Sequence, residues 1–262
     1  ELDPGVVEAA QSMGATPMQI ILKVMIPECL PGLISTLGML GRTGELVVHG
    51  PKEVETYLRP VMDLFCRGME FEVRFNPVDT RSHSLVMEDR SLSVYSIPLK
   101  HRIPTCGYLF AEKPKEAHII REMTDFYQVP VRCMKDIKQG QDYVTPEGEV
   151  VPNSRLTRPA TPPKRYAFCS DTAYNRSIIP IIEGADLLYH EATFAECDLA
   201  RAKETFHSTA RQAAEIARDA HVKRLVIGHY SARYEDLSEL HREAEAVFPG
   251  TILGNEGTVI PV

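Results

Sequence analysis

The sequence lacks the features of a membrane protein and of a disulfide-rich secreted protein. None of its six cysteines forms a C-x-x-C pair, and no signal-like apolar segment opens the chain. No apolar run approaches the roughly 18 to 20 residues of a bilayer-spanning helix. The longest run, MQIILKVMI, is interrupted by Lys23. We therefore expect reduced thiols, a cytoplasmic location and no membrane partner.

The chain also lacks an excess of positive charge. Its formal net charge of -7 argues against indiscriminate nucleic-acid binding, which needs a basic field. An acidic enzyme can still act on RNA if its positive charge is local. With 262 residues, of which 44% are hydrophobic, the chain is long enough to bury the core of one large α/β domain or two small ones.

Short β-rich segments alternate with helical segments from about Leu46 onward. Six apolar runs predict strands: ELVVHGP, FEVRFNPV, SLSVYSIPL, RYAFCSD, DLLYHEA and RLVIGHY. Apolar residues at helical spacing predict helices in PKEVETYLRPVMDLFCRG, AHIIREMTDFYQ, TARQAAEIARDA and LSELHREAEAVF. This mixture indicates an α/β fold, with helices packed on one or two sheets.

Residues 112–165 differ from the rest of the chain in composition. They contain seven prolines and 10 basic against 8 acidic residues, and their last part, VPNSRLTRPATPPKR, holds four basic residues and no acidic one. One interpretation is a solvated excursion between two strands. The other is a mobile arm that contacts a polyanion, because long loops are either functional or disordered.

Three of the predicted strands each deliver one metal-capable side chain into a turn. SVYSIPLKHRIP places His101 there, KRYAFCSDTAY places Asp171, and KRLVIGHYS places His229. Side chains at the ends of neighbouring strands share a crevice, and imidazole and carboxylate groups are ligands that Zn²⁺ accepts. A single strand-end histidine is usually structural, whereas three such ends together indicate a metal site.

A second group of residues indicates proton chemistry. LLYHEATF ends another strand with His190 and Glu191, and His207 comes shortly before a predicted helix. Thr209 and Gln212 have the spacing of a capping box, so the helix is expected to begin at Thr209. The helix N-terminus favours an anionic group such as phosphate near His207, whose tautomer a carboxylate can fix for proton donation. The alternative is that His207 merely precedes the helix cap.

Five motifs carry a resemblance to a known family: LKHRIPTCGYLF, FCSDTAYN, LLYHEATF, KETFHSTARQAAEIA and LVIGHYSARY. In this order they resemble ribonuclease Z, the metallo-β-lactamase-fold endonuclease that trims tRNA 3′ trailers, over about residues 30–262. The resemblance implies an αβ/βα four-layer sandwich, a precursor tRNA substrate and a homodimer. Residues 112–165 occupy the place of the family's tRNA-binding arm, and Ser231 and Arg233 fall where the family places phosphate contacts.

The same resemblance implies a role for five further residues. His101 resembles the ligand of one zinc ion, His229 the ligand of a second, and Asp171 the carboxylate that bridges the two. His207 resembles the catalytic histidine that protonates the leaving 3′ oxygen during two-metal hydrolysis of a phosphodiester. Glu191 resembles the acidic partner that orients that histidine.

One element of the family is missing from this sequence. The first metal-binding motif of ribonuclease Z is H-x-H-x-D-H, and the 262 residues contain no H-x-H. His101 with Asp171 and Asp171 with His229 would then be the only ligands of the two metals, whereas a catalytic zinc usually has three protein ligands. We therefore expect this chain to be inactive or nearly so.

Residues 1–29 resemble a different class of protein. EAAQSMG followed by VMIP is similar to the coupling loop of ABC-transporter permeases of the methionine-importer type, with Gly14 and Pro27 at the spacing of that loop. The chain is thus divided into a foreign helical segment, residues 1–29, and a partial ribonuclease Z domain, residues 30–262, that lacks its N-terminal strands. An ABC ATPase is not an expected partner, because no segment is long enough to span a membrane.

Two other functions stay open on the sequence alone. The chain could be a different phosphodiesterase of the metallo-β-lactamase fold that acts on small substrates, which would not need residues 112–165. It could also be a non-catalytic chimeric fragment. Cleavage of a small diester and of a precursor tRNA, compared with and without residues 112–165, separates the first alternative from a tRNA-processing enzyme.

Overall fold

The computed structural model describes Ile34 and residues 36–66, 68–255 and 257–262. The chain divides into two compact units, Glu1–Thr80 and Arg81–Val262. The predicted boundary between residues 29 and 30 lies outside the described residues, and so does the permease-like segment.

The described part of the first unit contains one pair of parallel strands. Strand β1 (Leu46–Gly50) pairs with strand β2 (Val73–Pro77), and helix α1 (Lys52–Phe65) joins them. Parallel neighbours require such a crossover. The helix packs Leu58 and Met62 into a small apolar cluster with the strands. The three elements predicted over residues 45–78 are confirmed.

The second unit is built on a larger set of short elements. Its strands are β3 (Leu85–Glu88), β4 (Leu92–Pro98), β5 (Cys106–Glu112), β6 (His118–Ile119), β7 (Tyr143–Val144), β8 (Val150–Val151), β9 (Thr157–Arg158), β10 (Arg165–Cys169), β11 (Leu187–Glu191), β12 (Leu225–Gly228) and β13 (Ile252–Leu253). Its α-helices are α2 (Arg121–Phe126), α3 (Met134–Lys138), α4 (Asn153–Leu156), α5 (Ile179–Ile182), α6 (Leu199–Thr205), α7 (Ala210–Asp219) and α8 (Ser238–Glu245).

Seven of these strands form one mixed sheet in the order β13-β12-β11-β10-β5-β4-β3. Strands β10 to β13 are parallel neighbours, whereas β10, β5, β4 and β3 pair in antiparallel fashion. Because two antiparallel steps restore the direction, β4 runs the same way as β10, β11 and β12. The carboxyl ends of these four strands therefore lie at the same edge of the sheet.

The core of the second unit lies between this sheet and its helices. Helix α7 buries one face made of small and branched side chains, among them Ala213, Ala214 and Ile216. These residues join Leu188 and Leu225 from the central strands in one apolar cluster. The repeated alanines let α7 lie close to the sheet, which fixes where the residues before the helix are placed.

Residues 112–165, the arm, fold as a small subdomain with its own core. Two short antiparallel pairs, β6 with β9 and β7 with β8, frame it. Its buried side chains are Val129, Ile137, Tyr143, Val151 and Leu156. At its root, the Oε2 atom of Glu112 accepts a hydrogen bond from the backbone N–H of Lys164 at 3.0 Å. The structure thus shows a folded subdomain, whereas composition left a solvated excursion and a mobile arm as the two alternatives.

Most of the predicted elements agree with the structure, and two points are corrected. The helix predicted over residues 117–128 is shorter, because His118 and Ile119 pair as β6 before α2 begins at Arg121. The sequence does not predict strands β3 and β5, because LVME is short and CGYLFAE carries a glycine at its second residue, nor the two-residue strands β6 to β9 and β13. Gly107 is needed in β5 because a Cβ at that position would collide with the carbonyl oxygen of Phe168 in β10.

The described residues bear on two expectations, the state of the thiols and the presence of a membrane-spanning helix. Every described cysteine is a free thiol. Across the same residues, no helix combines the length and the apolar character that crossing a bilayer requires.

Candidate active site

The shared edge of the sheet delivers four of the predicted site residues. His101 lies in the loop after β4, and Asp171 follows β10 by two residues. Glu191 is the last residue of β11, and His229 comes directly after β12. Because these strands run in the same direction, their ends place the four side chains around one crevice, as the strand-end pattern predicts.

Two groups of side chains at this edge have the composition of metal-ligand sets. The first contains His101, Asp171 and His207, and the second contains Glu191, His207 and His229. Within each group, one ligand atom per residue lies within 4.8 Å of the others. The structure therefore brings all five residues together, with His207 belonging to both groups.

The contact between Asp171 and His229 ties the two groups to each other. The Nε2 atom of His229 lies 3.1 Å from Oδ1 of Asp171. Burial disfavours the charged form of both groups, but their mutual attraction outweighs it. The pKa of Asp171 is lowered by His229, with smaller contributions from His101 and His207. The pKa of His229 is raised by Asp171 and, more weakly, by Glu191.

Asp171 and His229 also share an unusual backbone conformation. Their φ angles are +58° and +59°, in the left-handed region that residues with a side chain seldom adopt. Gly228 precedes His229 at a point where a Cβ would collide with the ring of Tyr189. Strain of this kind persists only where surrounding structure over-determines it, and it is concentrated at functional sites.

Glu191 is fully buried and accepts hydrogen bonds through both carboxylate oxygens. Oε1 accepts from the backbone N–H of Thr172 at 2.6 Å and lies 2.9 Å from Nδ1 of His207. Oε2 accepts from the backbone N–H of Ser208 at 3.0 Å and from the hydroxyl of Thr193 at 2.6 Å. Burial raises the pKa of Glu191, but His207 and the other donors outweigh it and hold the pKa below its ordinary value.

Thr193 connects this buried carboxylate to the second histidine. Its Oγ1 atom lies 2.9 Å from Nδ1 of His229 while it donates to Glu191. A hydroxyl that donates to a carboxylate accepts from an N–H, so Nδ1 of His229 carries the proton and Nε2 faces Asp171. One carboxylate therefore orients His207 directly and His229 through a hydroxyl, as outer partners of metal-binding histidines commonly do.

The predicted capping box is confirmed at the start of α7. The Thr209 hydroxyl accepts from the backbone N–H of Gln212, and the Gln212 side chain accepts from the backbone N–H of Thr209. Thr209 also donates to a carboxylate oxygen of Glu196 at 2.9 Å. This rigid cap holds His207 and Ser208 against Glu191.

His190 does not share the site with Glu191. Side chains alternate between the two faces of a strand, so neighbouring residues of β11 point in opposite directions. His190 is fully buried, and its Nδ1 atom lies 2.7 Å from the backbone carbonyl oxygen of Glu191. Burial lowers the pKa of His190 and favours its neutral form. We assign it a structural place.

Comparison with known proteins gives relatives of high identity. A Parabacteroides distasonis protein named ribonuclease Z is 78% identical over 233 residues, which make up 89% of this chain and 77% of that protein. A Bacteroides fragilis protein of the same name is 59% identical over 231 residues, covering 88% and 76% of the two chains. The chain belongs to the ribonuclease Z family. No protein-family model matches it.

Solved structures give the fold of this ribonuclease Z family member. Human tRNase Z, short form, superimposes with a TM-score of 0.57 at 20% identity, over 88% of this chain and 73% of the human one. The metallo-β-lactamase fold protein YhfI from Bacillus subtilis gives a TM-score of 0.54 at 15% identity, over 88% and 71% of the chains. The expected metallo-β-lactamase fold is thereby confirmed. Nothing in these comparisons supports the permease resemblance of residues 1–29.

The two predicted phosphate-contacting residues, Arg233 and Ser231, contact neighbours of the candidate site residues. The guanidinium of Arg233 sits over the ring of Phe194, 5.5 Å from its centroid, and that ring is 6.2 Å from the ring of His207. Arg233 also pairs with Asp198 at 3.7 Å. The backbone N–H of Ser231 donates to the carbonyl oxygen of Thr193 at 3.1 Å. Arg233 is exposed, and Ser231 is half-buried.

The sequence interpretation missed three residues that shape the candidate site. Thr193 and Ser208 provide donors to Glu191, and the carbonyl oxygen of Phe206 lies 3.2 Å from Nδ1 of His101. All three lie inside the quoted motifs LLYHEATF and KETFHSTARQAAEIA. Their position next to the predicted residues could have pointed to them. Hydroxyl and backbone groups are not recognised as parts of a metal site from the sequence, because they do not have the spacing patterns of histidine and carboxylate ligands.

Proposed function

We propose that the chain carries the site of an endoribonuclease that removes 3′ trailers from precursor tRNA. Membership of the ribonuclease Z family supports this, because relatives at 78% and 59% identity bear that name. The observation that carries the proposal is the Glu191–His207 pair at 2.9 Å, next to two groups of metal-capable side chains. A proton-transfer pair beside a metal centre suits phosphodiester hydrolysis.

The donor atoms fit a divalent metal. Oδ1 of Asp171 is buried and makes no hydrogen bond within the described part of the chain, although it lies close to His229. We propose that His101, Asp171 and His229 would hold two metal ions, His101 with Asp171 one ion and Asp171 with His229 the other. Imidazole and carboxylate ligands suit Zn²⁺ and also Mn²⁺. When bound, such an ion polarises a phosphodiester and stabilises the charge that develops on it.

The remaining groups provide proton transfer and positioning. The hydrogen bond from Nδ1 of His207 to Glu191 leaves Nε2 as the ring nitrogen available for proton transfer. We propose that Nε2 of His207 delivers a proton to the departing 3′ oxygen of the tRNA body, while the Glu191 carboxylate stabilises the protonated ring. Arg233 and Ser231 are proposed to contact backbone phosphates.

The arm is proposed to bind the tRNA away from the cut. Its compact core makes it a stable module, and it carries more basic than acidic residues in a chain that is acidic overall. Binding energy gained at a distance positions the scissile bond at the catalytic groups. Removal of the arm should weaken precursor-tRNA cleavage and leave hydrolysis of a small chromogenic phosphodiester unchanged.

The 262-residue chain is proposed to hold its metals weakly. The H-x-H-x-D-H motif of the resembled family is not in its sequence, so each metal would keep only two of the expected ligands, from among His101, Asp171 and His229. Slow cleavage at best is the consequence. Zinc as the resident metal, a homodimer and a cytoplasmic location are further proposals carried over from the resemblance, to be checked by metal analysis, light scattering and fractionation.

The experiment is a single-turnover assay with the chain in excess over a 3′-extended precursor tRNA, with Zn²⁺ or Mn²⁺ added. The proposal predicts slow release of the trailer at one position, abolished in an Asp171→Ala variant. A Glu53→Ala variant, altered at an exposed carboxylate of α1 that has no proposed role, is the control for nonspecific loss. Cuts scattered along the RNA, or cuts that persist in Asp171→Ala, would contradict the proposal.

A further inference from the structure

We propose that the cavity beside His101 and His207 binds one nucleotide of single-stranded RNA, whose base stacks on Phe206 and whose phosphates contact Lys100 and Lys203. The cavity has a volume of about 560 Å³, and all five residues line it. That volume lies within the range of sites for small ligands and suits one nucleotide rather than a duplex. This inference rests on the proposed action on RNA and names the subsite that holds the strand.

Phe206 is the residue that gives the cavity an open aromatic face. It follows α6 with φ +62° and ψ +44°, and 42% of its surface is exposed. Glycine suits this conformation, whereas a phenylalanine is strained in it. An exposed aromatic ring on a residue whose backbone is strained has no evident role in stabilising the fold. A ring that receives a base explains why a large side chain stands there, because every base has a face that stacks on an aromatic ring.

The backbone of Phe206 fixes the ring close to the catalytic groups. Its carbonyl oxygen lies 3.2 Å from Nδ1 of His101, and His207 is the next residue along the chain. A base stacked on this ring would therefore belong to a nucleotide next to the scissile phosphate. Tyr174 provides a second aromatic wall, held by a hydrogen bond from its hydroxyl to Glu215 at 3.0 Å.

The charge of the cavity suits a phosphodiester backbone. The chain has a net charge of -7, yet the described residues that line the cavity include two lysines and two histidines and neither aspartate nor glutamate. Lys100 and Lys203 are exposed, and neither is in an ion pair within the part of the chain that the structure describes. Two unneutralised ammonium groups beside an aromatic face form the usual combination for binding a single strand.

The test measures binding without catalysis, in EDTA, so that it does not depend on metal loading. The probe is an acceptor-stem minihelix with a 3′ trailer, either intact or with an abasic nucleotide on one side of the cleavage junction. Phe206→Gly removes the ring and keeps a residue that suits the backbone, and Phe206→Tyr keeps an aromatic face. Tyr57→Ala, at an aromatic residue that is also 42% exposed but lies on α1, is the matched control.

The proposal predicts a specific pattern of dissociation constants. Phe206→Gly should bind the intact minihelix about five-fold or more weaker than the wild type, whereas Phe206→Tyr and Tyr57→Ala should match the wild type. One of the two abasic probes should bind the wild type about as weakly as Phe206→Gly binds the intact minihelix. Phe206→Gly should bind that same probe no more weakly than it binds the intact minihelix. Such non-additivity is expected only if base and ring contact each other.

Other results would overturn the inference. The subsite is wrong if Phe206→Gly binds the intact minihelix as tightly as the wild type does. It is also wrong if the abasic nucleotide weakens binding by the same factor in the wild type and in Phe206→Gly. In both cases the proposed function still stands. If the wild type binds neither the minihelix nor a full precursor tRNA, both proposals fail together. Circular dichroism of each variant establishes that it is folded.

The contribution of Lys100 and Lys203 is measured separately, from the salt dependence of minihelix binding. Each phosphate contact contributes about 0.7 to the slope of log affinity against log salt for a single strand. Lys203→Gln should therefore lower that slope by about this amount for the minihelix, and Lys100→Gln likewise. Arg201→Gln is the control, since Arg201 is exposed on the same helix and does not line the cavity. Equal slopes for Lys203→Gln and Arg201→Gln would remove the lysines from the site.

Discussion

The Oε1 atom of Glu191 lies 2.9 Å from Nδ1 of His207, with the carboxylate fully buried and the imidazole only 12% exposed. A buried carboxylate is costly unless it is well hydrogen-bonded, and Glu191 has donors on both oxygens. The pair therefore serves the stability of the fold as well as the orientation of the imidazole.

Replacing Glu191 by glutamine should destabilise the protein and slow cleavage. The amide offers one acceptor oxygen where the carboxylate offers two, so an N–H of Thr172 or Ser208 would face a donor. We expect a loss of about 1.5 to 3 kcal/mol in the free energy of unfolding, measured in urea. Trailer release should fall by about 100-fold or more. Glu204→Gln, on the exposed side of α6, is the control; equal stability of the two variants would refute the network.

Replacing Thr193 by valine should weaken metal binding through His229. Valine has nearly the same shape but cannot link Nδ1 of His229 to Glu191, so the ring loses its fixed tautomer. Loss of such an outer partner typically costs about 10- to 100-fold in metal affinity. Calorimetric titration with Zn²⁺ measures the effect. Thr193→Ser keeps the hydroxyl and should bind as the wild type does; equal affinity of the valine and serine variants would show that the link is irrelevant.

Asp186 should make the stability of the chain sensitive to acid. Burial raises the pKa of Asp186, but Lys223, the backbone N–H of Arg165 and Lys164 outweigh it and lower the pKa. A lowered folded-state pKa adds stability above the unfolded value, about 3.9, and this contribution is lost as pH falls through the folded pKa. Urea unfolding at about pH 6 and about pH 3 should show a smaller drop for Asp186→Asn than for the wild type.

The control for acid sensitivity is Asp125→Asn, which alters an exposed carboxylate of the arm. It should keep the wild-type drop between the two pH values. If Asp186→Asn shows the full drop as well, the attraction between Asp186 and its basic partners does not contribute to stability.

Thr209→Ala should destabilise the second unit by about 1 to 2 kcal/mol, because it removes the N-cap of α7. The Thr209 hydroxyl is buried and also donates to Glu196, so no water can replace it easily. Thr209→Ser retains the hydroxyl and should stay within about 1 kcal/mol of the wild type, the value of one buried methyl group. Thermal and urea unfolding give the comparison. Equal losses in both variants would assign the effect to packing rather than capping.

The central part of the fold and site could be predicted from the sequence because local patterns carry it. Apolar runs ending in a histidine or an aspartate marked β4, β10 and β12, and three such strand ends predict a shared crevice. The three strands are not direct neighbours, because β5 and β11 lie between them, but they run in the same direction, and His101, Asp171 and His229 converge. The capping box at Thr209 depends on residues three apart, so it was also visible in the sequence.

Other features depend on contacts that no local pattern encodes. The arm folds through strands of two residues, too short to show a period of two, and its core joins residues as far apart as Val129 and Leu156. The left-handed conformation of Phe206 is unexpected for an aromatic residue. The link from Glu191 through Thr193 to His229 requires β11 and β12 to be in a particular register.

The most direct test compares precursor-tRNA cleavage by the 262-residue chain with cleavage by a hybrid in which the matching part of the Parabacteroides distasonis ribonuclease Z replaces residues 1–29. Both are assayed with and without Asp171→Ala. The hybrid should release the trailer much faster than the original chain, and Asp171→Ala should abolish this activity. A hybrid that fails to cut, or one whose Asp171→Ala variant cuts equally well, would contradict the assignment of the site.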